Sequence, residues 1–183
     1  MRRTRHSRGT ILAALAVAGL ALSGTATNVT ANQSEAFEEV EFWKAARYMW
    51  GQFAGPKNVQ LFHEDVTCDG RADYVGGYFS TVNPDMDSFD VLVVTRGPNG
   101  TEEAIVQIPV GEDTQFSLMD GPYATVPADL AVEQMPRDAV AAMAGEEACP
   151  VALAVDDGMT GTIRLFWRQG SVDGEDRLTL FRN

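Results

Sequence analysis

From Glu35 to Phe53 the chain reads EAFEEVEFWKAARYMWGQF, in which Phe42, Ala46, Met49, Trp50 and Phe53 recur every three to four residues with Phe37, Val40 and Trp43 beside them. That period predicts an amphipathic helix whose apolar stripe faces a core rather than forming an aromatic ligand groove. Gly51, Gly55 and Pro56 mark its end. Past Pro56 the period shortens to two. NVQLF (58–62), DYVGGYFSTV (73–82) and FDVLVVT (89–95) read as strands separated by acidic or glycine-rich turns. Gly97-Pro98-Asn99-Gly100, between FDVLVVTR and TEEAIVQIPV, predicts a hairpin.

Residues 112–135 carry no single period; a short strand around Phe116 and a proline-punctuated loop from Pro122 to Pro127 are expected there. Pro136 to Ala144 predicts a short helix with proline in its first turn. VALAV (151–155), the turn Asp156-Asp157-Gly158, TIRLFWRQ (162–169), the acidic turn SVDGED and RLTLFR (177–182) predict a strand meander. In TIRLFWRQ, Ile163, Leu165 and Trp167 fall on one face and Thr162, Arg164, Phe166 and Arg168 on the other, the pattern of a half-buried antiparallel strand. The expected fold class is α+β, a mainly antiparallel sheet with an N-terminal amphipathic helix and one further short helix. No repeat of solenoid or propeller length recurs, so neither architecture is built within this chain.

The start of the chain changes the picture of where it works. Arg2, Arg3, Arg5 and Arg8 precede an uncharged, nearly all-apolar run from Ile11 to Leu22, the pattern of a secretory leader. The run is too short to span a bilayer as a helix. Small residues suit cleavage after Ala26 or, preferably, Ala31. Leu22-Ser23-Gly24-Thr25 has threonine where a lipoprotein would need cysteine, and the residues after Arg2-Arg3 lack the hydrophobic pair of a twin-arginine signal. Ordinary export to a periplasmic or extracellular location is expected, with residues 1–31 a signal peptide, 32–183 a single α+β domain, and no membrane span after cleavage.

The full chain carries 14 Lys+Arg against 26 Asp+Glu, a formal charge of -12. The leader holds four of those bases and no acid, so cleavage leaves 10 bases, 26 acids and a charge of -16. Such a surface repels nucleic acid and anionic lipid and favours cations and basic partners. With only Cys68 and Cys149 present, export makes a single disulfide the expected pairing. A CxxC pair is excluded by the spacing, and a zinc cluster by the spacing together with the scarcity of histidine.

One segment carries chemistry. Residues 65–73, Asp65-Val66-Thr67-Cys68-Asp69-Gly70-Arg71-Ala72-Asp73, form a DxTxDGxxD pattern with oxygen side chains at positions one, three, five and nine and a turn-forming glycine at six. A loop wrapping a hard cation such as Ca²⁺ needs such a series. Position twelve is Gly76 rather than glutamate and the flanks read as strands, so an EF-hand is the wrong template. DVTCDGRADYV resembles instead the calcium loop of FG-GAP (integrin α-type) repeats, which joins two strands. The resemblance covers about eleven residues in a single copy. It implies Ca²⁺ held by Asp65, Thr67, Asp69, the Arg71 carbonyl and Asp73, with Thr67 replacing the usual acid or amide. The wider layout resembles bacterial envelope proteins. The bland alternative is an Asp-Gly turn with solvated carboxylates.

Asn83, Asp85, Asp87 and Asp90 read mainly as a solvated loop, and the Asp156–Gly158 and Asp173–Asp176 groups as hairpin turns. Three functions are expected in order: an exported non-catalytic binding or structural module, stabilised by Ca²⁺ at the 65–73 loop; an acidic inhibitor or partner of a basic envelope protein; and a hydrolase using a carboxylate pair. The usual parts for nucleophilic or zinc catalysis are missing from the sequence: after cleavage only His63 remains, and GxSxG and HExxH do not occur.

Overall fold

The fold is that of a computed structural model describing residues 26–83, 85–111, 117–118, 128–159, 161–170 and 177–182, with side chains from Phe37 onward. The expected leader up to residue 25, the strand around Phe116, the Pro122–Pro127 loop and the acidic turn at 173–176 lie outside the described residues.

Helix α1 (Ala26–Trp50) begins nine residues before the point that hydrophobic periodicity marked at Glu35. Its first part, ATNVTANQS, has no apolar stripe to announce a helix, but it also has no glycine or proline to interrupt one. The helix stops at Gly51, which turns left-handed at φ 76° and donates its N–H to the Arg47 carbonyl at 3.0 Å.

Strands β1 (Gln60–Glu64), β2 (Asp73–Ser80), β3 (Ser88–Gly97) and β4 (Gly100–Pro109) form one antiparallel meander in the order β1-β2-β3-β4. Strands β5 (Asp129–Gln134), β6 (Ala148–Asp156), β7 (Ile163–Arg168) and β8 (Leu178–Arg182) form a second, β5-β6-β7-β8, with helix α2 (Arg137–Ala144) inserted between its first two strands. The α+β class stands; the strands divide into two sheets that share one core. Val75, Phe89, Val91 and Val93 of the first sheet pack there against Leu153, Val155, Ile163 and Leu165 of the second.

Alternation on β3 explains the layering. Phe89, Val91 and Val93 enter the inter-sheet core, while Leu92 and Val94 turn outward beneath Phe42, Ala46 and Trp50 of α1. Both faces are covered, so all eight residues from Ser88 to Thr95 are buried. On the far side Val140 of α2 packs on Ala148, Ala152 and Phe166. The result is helix, sheet, sheet, helix. Two successive glycines in β2 make it possible: a Cβ at Gly76 would overlap the Phe42 ring, and one at Gly77 would lie 2.7 Å from Phe89 Cζ on the opposite face.

Polar groups staple the sheets at their edges. Gln60 of β1 donates to the Ala128 carbonyl at 2.8 Å and accepts from the Leu130 N–H at 2.7 Å. At the other edge Arg177, just before β8, pairs with Glu102 of β4 at 2.9 Å. Among the described residues no helix is long and apolar enough to cross a membrane.

Candidate functional site

The ends of β1, β3 and β7 and the starts of β2, β4 and β6 meet at one end of the sandwich. There Cys68, in the loop between β1 and β2, is bonded to Cys149 of β6 with 5.7 Å between Cα atoms. The expected disulfide is therefore present, and it ties the first sheet's loop to the second sheet.

The loop is held from within. Asp73, only 1% exposed, accepts the N–H groups of Val66 and Thr67 on one carboxylate oxygen, each at 2.9 Å. The hydroxyls of Thr67 and Thr95 donate to the same carboxylate. Asp65 accepts from Asp69 N–H at 3.2 Å and Gly70 N–H at 3.0 Å, and Asp69 accepts from Arg71 N–H at 2.8 Å. Gln169, just past β7, donates to the carbonyls of Thr67 and Cys68 at 3.2 and 3.3 Å. Cys68 itself adopts φ 58°, a left-handed conformation that costs a non-glycine residue about 1–2 kcal/mol. Disulfide, caps and clasp together offset that strain.

Each residue named from the DxTxDGxxD pattern is thus on this loop, but with a different task. The carboxylates of Asp65 and Asp73 face the loop's own amides, Thr67 donates to Asp73, and Arg71 donates its N–H to Asp69. Among the described residues no three His, Cys, Asp or Glu groups gather as a metal would require. As folded, the carboxylates of Asp65, Asp69 and Asp73 accept amide protons of the loop itself, which an ion held there would have to displace or share.

Beside the loop lies a cleft of about 240 Å³ between Cys68 and Asp69 on one wall and the β3–β4 hairpin on the other, with Trp167 of β7 and Gln169 just past it also lining it. Arg96 and Arg177 also line it. The Arg96 guanidinium pairs with the buried Glu38 of α1 at 2.9 Å. Arg177 pairs with Glu102 and lies 5.5 Å from the centre of the Trp167 ring, within cation–π range. Two acidic residues, Asp69 and Glu102, and two arginines, Arg96 and Arg177, thus line the cleft. Sequence reasoning passed over Thr95, Arg96, Glu102, Gln169 and Arg177, and read Trp167 only as a strand residue. Their partners, Asp73 for Thr95, Glu38 for Arg96, Glu102 for Arg177 and the Thr67 and Cys68 carbonyls for Gln169, lie far away in sequence, so no local pattern marks them.

The two buried carboxylates of the first sheet, Asp73 and Asp90, do not form a pair. Asp73 lies at the disulfide end with Thr95 beside it, whereas Asp90 is five residues farther along β3 and faces α1. At about 3.3 Å per residue that offset is about 17 Å, well beyond the roughly 5–9 Å separation of a glycosidase pair. Asp90 accepts from Trp50 Nε1 at 3.0 Å and Ser88 Oγ at 2.6 Å. Among the described residues of the other acidic groups, Asp156 accepts from Gly158 N–H and Asp157 from Met159 N–H, while Asn83 accepts from Asp85 N–H.

Burial raises the pKa of both Asp73 and Asp90 above the ordinary 3.8, against hydrogen bonds from Thr95, Thr67 and Val66 in the first case and Ser88, Gln107 and Trp50 in the second that pull it back. A folded-state pKa above the unfolded one means that folding takes up a proton in the interval between them. The burial cost is then fully present above the folded pKa and is relieved as pH falls through it toward 3.8. Denaturant unfolding of wild type and Asp90→Asn is expected to show the wild type gaining on the variant across that interval. A difference that stays flat with pH would show that Asp90 titrates at its ordinary value.

Comparison with protein-family models, with curated protein sequences and with solved structures finds no match for this chain.

Proposed function

We propose that this chain is an exported, non-catalytic binding module whose cleft at the disulfide end receives a basic segment of a protein partner. The observation that carries this reading is the surplus of restraint on residues 65–73. A connection between two antiparallel strands needs only a turn, yet here a disulfide, two aspartate caps and the Gln169 clasp fix nine residues around a left-handed Cys68. Fixing a loop in advance removes the ordering cost that binding would otherwise incur.

The size of the cleft and the charge of the whole chain support the partner class. A volume of about 240 Å³ falls below the roughly 300–1,000 Å³ of small-molecule sites, so it suits one side chain or a chain end. The cleft's own charges balance, Asp69 and Glu102 against Arg96 and Arg177, so the attraction for a basic segment comes from the chain as a whole, whose charge of -12 steers cationic partners toward itself. Export is supported by the arginine-led apolar run and by the disulfide, a bond that persists in oxidising compartments. Calcium at the loop rests on the DxTxDGxxD spacing and the FG-GAP resemblance, and would require Asp65, Asp69 and Asp73 to exchange or share amide partners with the ion.

Titration of isotope-labelled protein with short lysine- and arginine-containing peptides tests the reading. Amide shifts are expected to concentrate at Asp69, Gly97 and Gln169 and to fade as salt is raised. Shifts spread evenly over the acidic surface, or an equal response to acidic peptides, would reject it.

A further inference from the structure

Helix α1 has a second apolar face that the fold leaves uncovered. Phe42, Ala46 and Trp50 are buried on the first sheet, yet Phe37, Val40 and Tyr48 on the other side are 51%, 62% and 88% exposed. With Lys44 they occupy positions 37, 40, 44 and 48, a single stripe at the helical period. Large apolar side chains concentrated in this way mark an interaction surface.

Charge along the helix indicates what covers the stripe. Within the span of the stripe the partly exposed Glu41 comes before the largely exposed Lys44. Such a face is complementary to itself only when reversed. We propose that α1 pairs antiparallel with α1 of a second copy of this chain, about a two-fold axis passing between Phe42 and Trp43. That axis sets Phe37 opposite Tyr48 of the other copy and Glu41 opposite its Lys44, and each contact occurs twice, as an isologous interface requires. The Glu41–Lys44 ion pair within the helix, 3.1 Å long with Lys44 largely exposed, supplies the charges without rearranging the core. A parallel pairing would set lysine against lysine. A basic partner fits less well, since it would meet Lys44 within the stripe.

Sedimentation velocity across a wide concentration range tests the pairing. The purified protein is expected to pass from monomer to dimer, and Tyr48→Glu to remain monomeric at every concentration. Glu41→Lys and Lys44→Glu are each expected to weaken the dimer at least tenfold, and the double exchange to restore it. All four variants alter exposed or partly exposed positions and are expected to unfold together with the wild type, which separates a lost interface from a lost fold. A monomer throughout, a dimer that survives Tyr48→Glu, a charge exchange that restores nothing, or a stripe that instead binds zwitterionic vesicles would each overturn the proposal.

Discussion

Trp50→Ala is expected to lower the unfolding free energy by about 3–5 kcal/mol, the cost of emptying a large aromatic site in a packed core. Trp50 is among the largest side chains that are almost wholly buried, stacks on Tyr78 with 5.0 Å between ring centres, and joins the cluster that attaches α1 to the first sheet. Its indole N–H also donates to Asp90, a carboxylate on the strand face that this helix covers. Trp50→Phe separates the two contributions. It keeps most of the apolar area and removes the donor, so Asp90 retains Ser88 and Gln107; a loss of about 1–3 kcal/mol is expected. Chemical denaturation of both variants checks the pair of values. If Trp50→Phe costs as much as Trp50→Ala, the hydrogen bond rather than the packing holds the helix; if it costs nothing, the bond to Asp90 contributes nothing net.

The second large effect belongs to the disulfide. Cys68 and Cys149 lie 81 residues apart, and chain entropy assigns a closure of that length about 4–5 kcal/mol. Cys68→Ala combined with Cys149→Ala is therefore expected to lower the melting temperature by about 10 °C or more. The structure adds a local expectation. Once released, Cys68 has less reason to stay left-handed, and the Gln169 clasp then spans two sheets without a covalent partner. Calorimetry gives the global loss. Loss of the Thr67 and Cys68 contacts to Gln169, seen as shifts confined to the disulfide end, gives the local one. A variant that melts with the wild type and keeps those contacts would mean that the caps alone hold the loop.

Much of this fold is legible in the sequence because it depends on local period. Ile163, Leu165 and Trp167 alternate along β7 and enter the core as read, and the Gly97–Gly100 turn joins β3 to β4. The Phe42–Ala46–Trp50 spacing finds the buried face of α1, although Phe53, counted with it, lies beyond the helix end at 74% exposure. The division into two sheets is not legible, because β5 hides in a stretch without periodicity and because alternation states which face a residue takes but not which strand lies opposite. The loop shows a different limit. Aspartates at positions one, five and nine are equally the pattern of a cation shell and of a loop whose carboxylates accept its own amide protons, since N–H groups and metal ions compete for the same lone pairs. The spacing of oxygens cannot choose between them. What holds the loop beyond its own spacing is Asp73 lying buried beneath Thr67 and Thr95, and Gln169 arriving from just past a strand about a hundred residues away.

Amide hydrogen exchange at Val66, Thr67, Asp69 and Gly70, measured in chelator and again after adding Ca²⁺, addresses most directly whether the chain builds this loop by itself. Slow exchange at all four in chelator, unchanged by the ion, is the result expected from the Asp65 and Asp73 caps. Rapid exchange in chelator that slows only when Ca²⁺ is present would contradict it, and would mean that the carboxylates wait for a cation rather than for the backbone.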